Sequence, residues 1–508
     1  MESPTLWVKK HWHELILGVS LLVAFILFLI VLPDYGMSYD ERDLYEYADR
    51  MLDAYSKMAY GEPITKLLQF YDLAFYGPFY LIVGRIIIYG LNFLFPALYI
   101  VHAWHIVTFA TFLVGVWMIY LLAGRFVEKK FALIAGLLFL TPPLLWGHAT
   151  MNLKDIPFLT FFLTSVVVGF HWVDCIKKPE TSAEPTFQES LRRRGMFLFV
   201  VSLVTVAILF IDRQFNNFIS LPVINRFVSS IFESKPGTIY NLLYQKLIGS
   251  NEPLAIQEYI LKASRIVNLI EFFIILAAIL ILIYLIMRQI PGTWRWAAVA
   301  GMFSGIALGV RVLGPASAGL VVLYLLMTKR RKPVLWILGY AMVTFATAYC
   351  IWPYLWGQPF QGILNSLAIM SKFPWQGIVR FEGIDFPAGE LPWYYLPKLI
   401  GIQFTVPVIV LGLIGFSFMA IAVYKRTPIW KLAILIIGWF WLPIALVIYA
   451  RPTMYDNFRQ FLFITPPLFI SASYAISHIF KHLRSRGIQA GIAVALIIPG
   501  LIDGVWLH

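Results

Sequence analysis

Two adjacent carboxylates, Asp40 and Glu41, follow the first apolar run of the chain, in the stretch Gly36-Met37-Ser38-Tyr39-Asp40-Glu41-Arg42. An acid held at a membrane surface is partly desolvated, which raises its pKa and improves it as a proton acceptor. The expectation is that Asp40 removes a proton from an acceptor hydroxyl, while Glu41 orients it or supports a neighbour. A third acid, Asp155, sits in His148-Ala149-Thr150-Met151-Asn152-Leu153-Lys154-Asp155-Ile156-Pro157 and opens another apolar run. Asp followed by Pro in a first helical turn is also ordinary capping chemistry. The functional alternative sets Asp155 opposite Asp40, on a donor head group or a divalent cation, with Lys154 facing a phosphate. A cation between Asp40 and Asp155 is compatible with the pair but not required, and His148 alone does not make a metal site.

Cations recur beside these acids. Arg311 lies in Gly309-Val310-Arg311-Val312-Leu313-Gly314-Pro315, and Arg459 follows Tyr455-Asp456-Asn457-Phe458. Snorkelling, or a pair with Asp456, would account for them blandly. A guanidinium fork also matches phosphate oxygens, and a fixed cation there stabilises charge developing on a departing phosphate. Trp and Tyr are dense in 353–401, where they serve as interfacial anchors or line a groove. Trp375, Tyr455, Glu382 and Asp385 are the candidate contacts for a sugar or an acceptor. No Gly-rich phosphate loop, His-Glu metal motif or Ser-His-Asp set is present in the sequence.

The elements that must position these groups are membrane helices. The chain has 508 residues, 60% hydrophobic and 13% charged, with a mean hydropathy of +0.77, where a soluble domain carries about a quarter charged residues. Lys and Arg number 40 against 27 Asp and Glu, a net +13. They cluster between apolar runs as the positive-inside bias predicts, which removes the reason to invoke nucleic acid. Spans of about 20 residues are expected at 14–33, 101–123, 131–148, 156–175, 195–211, 267–287, 296–311, 314–328, 334–352, 402–424, 431–449, 461–479 and 488–506. If 77–95 does not cross, the Lys/Arg blocks after each outward turn all fall on the cytoplasmic side. That stretch is therefore read as interfacial or re-entrant, with Arg85 reaching polar surroundings.

The fold class expected is an all-α polytopic membrane protein of about 13 transmembrane helices, with interfacial helices in the first outer segment. The N-terminus is cytoplasmic, and the outer segments are 34–100, 212–266 and 353–401. These give a catalytic module at 1–211, an outer insertion at 212–266 and a second membrane module at 267–508. Cys175 and Cys350 fall on opposite sides, so no disulfide joins them.

The carboxylate pair after the first span, a following interfacial helix with Gly77-Pro78, the Asp-x-Pro of Asp155-Ile156-Pro157 and the span number together resemble the GT-C glycosyltransferases. The likeness is to the dolichyl-phosphate-mannose protein mannosyltransferases and the lipid A aminoarabinose transferase. It implies a polyprenyl-phosphate-linked sugar donor, membrane lipids around the site, and transfer with inversion on the outer face to a protein, lipid or glycan acceptor. It further implies that Asp40 is the base, and that Asp155 belongs to a second active-site loop. Where many relatives carry His or Lys beside Pro-Pro, this chain has Tyr76-Gly77-Pro78-Phe79, and Arg85 is the expected substitute. A transporter or flippase would instead place charges near the midplane of broken, repeated helices. A polymerase using lipid diphosphates would share the arginines.

Overall fold

The computed structural model describes residues 4–59, 72–176, 226, 292–328, 333–371, 373, 375–483 and 485–506. The expected spans at 195–211 and 267–287, the segment 212–266 apart from residue 226, and the module boundaries beside it lie outside the described residues. The chain divides into two compact units, Met1–Lys178 with Trp296–His508, and Pro179–Arg295. The first unit carries Asp40, Asp155, Arg311 and Arg459.

Helices dominate because apolar side chains fill stretches long enough to satisfy their own backbone polar groups, as a bilayer demands. In chain order they begin α1 (Pro4–Val31), α2 (Glu41–Ala59), α3 (Phe79–Leu94), α4 (Ile100–Ala123), α5 (Lys129–Leu140), α6 (Pro143–Met151) and α7 (Asp155–Cys175). Then come α8 (Gly292–Val310), α9 (Pro315–Met327), α10 (Pro333–Ile351) and α11 (Pro359–Ser371). The last are α12 (Tyr395–Gln403), α13 (Val406–Tyr424), α14 (Trp430–Ala450), α15 (Pro466–Phe480) and α16 (Arg486–Trp506). Among the described residues six helices are long and apolar enough to cross a membrane, seven if α5 and α6 count as one broken span. This is a helical multi-pass membrane protein.

The expected span 131–148 is not one rod. Thr141-Pro142-Pro143 interrupts it, and α5 and α6 meet at a 64° bend, because proline removes a helical donor and clashes with the preceding turn. The bend directs α6 into the loop that carries Asn152 to Asp155. The span that loop opens, α7, is the most enclosed, with 78% of its most apolar window buried. α10 has only 11% of that window buried and turns its apolar side chains outward. Helices α13 and α15 pack closely against each other. A Cβ at Gly415 would stand 1.8 Å from the Ser471 carbonyl oxygen, so that approach requires glycine.

Among the described residues one departure from an all-α chain occurs, in the aromatic segment. Strands β1 (Ile378–Phe381) and β2 (Ile384–Pro387) pair antiparallel, with Arg380 opposite Asp385. Their two-residue turn, Glu382-Gly383, has φ of 56° and 80°, the left-handed pair of a tight hairpin in which glycine is at ease. Cys175 and Cys350 form no disulfide with each other.

Candidate active site

Asp40 sits in the turn before α2, 29% exposed, and two cations meet one of its oxygens. Arg459 Nη1 donates to Oδ2 at 2.9 Å, and Lys154 Nζ lies 3.2 Å from the same atom. Residues 419 positions apart in the sequence are thus joined. Burial alone would raise the Asp40 pKa; the Lys154 ammonium and the Arg459 guanidinium more than offset it, and the carboxyl lies below its ordinary value.

Asp155, 2% exposed, is the first residue of α7 and forms an ion pair with Arg311 Nη2. It does not cap the helix. Two residues ahead of the N-cap Lys154, Asn152 accepts the amides of Lys154 at 3.2 Å and Asp155 at 2.8 Å on Oδ1, an Asx turn. The Asn152 amide group in turn donates to Asp155 Oδ2 at 2.9 Å and lies 3.3 Å from His148 Nδ1. His148 thus takes part in a hydrogen-bonded turn. The sequence assigned Asn152 no role, because its bonds belong to a local turn ahead of the helix rather than to a capping box.

Arg311 occupies the turn between α8 and α9, as expected, and Gly77 explains what lies against it. The Gly77 amide donates to the Gly309 carbonyl at 2.5 Å, and a Cβ on Gly77 would stand 2.2 Å from that oxygen. Only glycine admits this approach, which delivers the Tyr76 ring to within 5.3 Å of Lys154 Nζ and 5.9 Å of Arg311 Cζ. An aromatic face therefore stands where a cation was expected, attracting both charges through its quadrupole.

Arg459 is set by a backbone device. Asp456 and Asn457 take φ of 53° and 58°, a left-handed pair that costs energy outside glycine. The reversal brings the Asp456 carboxylate to 2.5 Å from Arg459 Nη2. The bland pairing with Asp456 is therefore real, yet it leaves Nη1 for Asp40. Tyr455 places its ring 5.7 Å from Arg459 Cζ and stacks on Trp375 with centroids 4.8 Å apart. Burial pushes the Tyr455 phenol up to about 12, so it is a hydrogen-bonding wall rather than a base. Among the described residues the buried Nε atoms of Arg311 and Arg459 have no acceptor, unusual for guanidinium donors and suited to an anion.

Three expectations change. Glu41 does not join Asp40 at the cluster. It is fully buried, its Oε1 accepting from Tyr45 Oη at 2.9 Å and lying 2.9 Å from His105 Nε2, while Oε2 accepts the Ser38 amide at 2.5 Å. Adjacent residues entering a helix point about 100° apart, so one faces the site and the other the core. Glu41 thereby supports the turn that carries Asp40. Arg85 does not substitute at the site; it forms a bidentate pair with Asp49 at 2.5 and 2.7 Å, clasping α3 to α2. Glu382 and Asp385 serve the hairpin: Glu382 pairs with Lys398 and accepts from Tyr394, and Asp385 accepts from Arg380 at 2.8 and 3.0 Å.

Asp40 and Asp155 are each neutralised by side chains of the protein. Among the described residues no three His, Cys, Asp or Glu side chains gather as metal ligands would.

No protein-family model matches the chain, and no curated protein matches it. Among solved structures it is similar to the archaeal oligosaccharyltransferase AglB from Archaeoglobus fulgidus, in complex with an inhibitory peptide and a dolichol-phosphate, at 14% identity and a TM-score of 0.44. The alignment covers 98% of this chain and 56% of that one, so the chain spans little more than half of that protein's length. A likeness this low establishes neither a common fold nor a common activity.

Proposed function

We propose that this protein is a GT-C-type inverting glycosyltransferase, moving a sugar from a polyprenyl-phosphate donor to an acceptor hydroxyl at the extracytoplasmic face of the membrane. The observation that carries this reading is the convergence of Asp40, Lys154 and Arg459, in a chain of membrane helices, with Asp40 still partly exposed. Asp155 and Arg311 extend the cluster through the Asn152 turn.

In the reading, the donor phosphate takes its place among Lys154, Arg311 and Arg459. Their charge stabilises the oxygen that departs as the bond between the anomeric carbon and phosphate breaks. The acceptor oxygen attacks that carbon from the opposite side, forming the new glycosidic bond, while its proton passes to Asp40. Proximity suffices because the donor is already activated. Trp375 and Tyr455 present an aromatic wall to the sugar, and Tyr76 fixes the cations from behind.

The ion pairs give the cycle an order. In the resting site Lys154 and Arg459 hold Asp40 ionised and weakly basic. A phosphate that draws those cations away raises the basicity of Asp40 when the acceptor needs it. About 13 crossings, a cytoplasmic N-terminus and an interfacial or re-entrant α3 complete the proposal.

The test is incubation of the purified protein with polyprenyl-phosphate and polyprenyl-diphosphate sugars. Release of free polyprenyl phosphate, lost in Asp40→Asn, is expected. Turnover of diphosphate donors alone would replace this reading with a polymerase. Lipid movement across vesicles without sugar transfer would replace it with a transporter.

A further inference from the structure

A cavity lies at the other end of the helices. In α4, His105 contacts Glu41 near Asp40, whereas Gly124 and Arg125 follow its last turn, about 30 Å further along at 1.5 Å per residue. Likewise α15 runs from the Arg459 turn to Lys481. There Arg125, Glu128, Thr427, Tyr474, His478 and Lys481 line a cavity of about 440 Å³, within the roughly 300–1,000 Å³ range of small-ligand sites.

Its chemistry is that of unclaimed donors. Lys481 has no carboxylate partner among the described residues. Arg125 spends Nη2 on Asp174 and on Tyr324 Oη at 3.5 Å, but its buried Nε has no acceptor among the described residues. Tyr474, 7% exposed, lines the same cavity. The acid in the lining, Glu128, is paired with Lys130 at 3.3 Å. The Thr427 hydroxyl is committed to the Ala422 carbonyl and supplies no donor. Phe131 and Ile429 make the remaining wall apolar. A tetrahedral, acceptor-only anion attached to something greasy satisfies both halves of this lining.

We propose that this cavity binds a phosphate group, through Lys481, Arg125 and Tyr474, on the side of the protein away from the Asp40 cluster. The ligand source is a phospholipid headgroup or free phosphate, and each has its own arm in the test. It is independent of the sugar-transfer reading.

The experiment titrates the full-length protein in detergent with short-chain phosphatidylglycerol, short-chain phosphatidylcholine and inorganic phosphate, reading bound species by native mass spectrometry. The wild-type protein is expected to bind one phosphatidylglycerol in preference to phosphatidylcholine. Lys481→Gln weakens that binding about tenfold or more, the weight of one charge-assisted hydrogen bond. Thr427→Trp, which fills the cavity without altering charge, abolishes it. Lys425→Gln, a nearby charge outside the lining, leaves it unchanged. Saturable binding of inorganic phosphate with the same Lys481 dependence also supports the site and assigns it to free phosphate. The proposal is overturned if neither phosphate species binds with Lys481 dependence, or if Lys425→Gln weakens binding as much as Lys481→Gln.

Discussion

The β-hairpin and the Asp40 cluster use the same pair of residue types to opposite ends. In the hairpin, Arg380 and Asp385 face each other bidentately, but their side chains are 75% and 48% exposed. Water competes for both, and such pairs contribute little. In the cluster, Arg459 and Lys154 are 17% exposed, Asp40 is 29% and Asp155 is 2%. There the alternative to an ion pair is desolvation, so each charge is held until a better partner arrives. Pairing itself does not mark a site. Burial does, when several chain segments deliver charge to one place and leave one carboxylate partly open.

That contrast is broken most directly at Asp40. Asp40→Asn should lower sugar transfer by about 10²–10⁴-fold, the usual contribution of a general base, while circular dichroism and thermal unfolding stay near wild type. Residual turnover close to wild type would remove Asp40 from the chemistry. Arg459→Gln should cost about 10²–10³-fold in the single-turnover rate, as loss of a transition-state charge contact does. An effect confined to KM would mean that Arg459 only anchors the donor.

Asn152→Ala leaves Asp155 and two backbone amides short of partners. It should cost roughly 1–3 kcal/mol of stability, read as a lower unfolding midpoint, with transfer reduced less than by Arg459→Gln. The pH profile sharpens the comparison further. Asp40 is depressed, so its ionised form and its stabilising contribution are present above the unfolded value, and both are lost as pH falls through the folded value. The acid limb of kcat/KM should lie below the ordinary Asp value. The limb of kcat should lie higher, because donor phosphate engages Lys154 and Arg459. Coincident limbs would show that the phosphate does not displace Asp40. Smallest of all, Asp385→Asn should leave both transfer and the unfolding midpoint unchanged. A loss comparable to that of Asn152→Ala would erase the distinction between the two regions.

Much of the site was legible from residue order. Asp40, Lys154, Asp155, Arg311 and Arg459 all stand where an apolar run begins or ends, the positions at which a membrane helix tolerates charge. Gly77 and the Thr141-Pro142-Pro143 break were equally visible, although what they bring together was not. Arg85, Glu382 and Asp385 looked just as available in the sequence, and Asp49, Lys398 and Arg380 claim them. Those partnerships depend on helix packing and strand register, which one-dimensional spacing does not encode.

The sequence alone determined that this chain lives in a membrane and that its charges gather at helix ends, because transfer of a charge into hydrocarbon costs energy wherever it occurs along the chain. Only the tertiary structure decided that Asp40 faces the cluster while Glu41 faces the core. Arg459 and Lys154 must be folded against Asp40 before either carboxylate has an environment, and it is the environment that separates two neighbouring acids of nearly equal intrinsic chemistry.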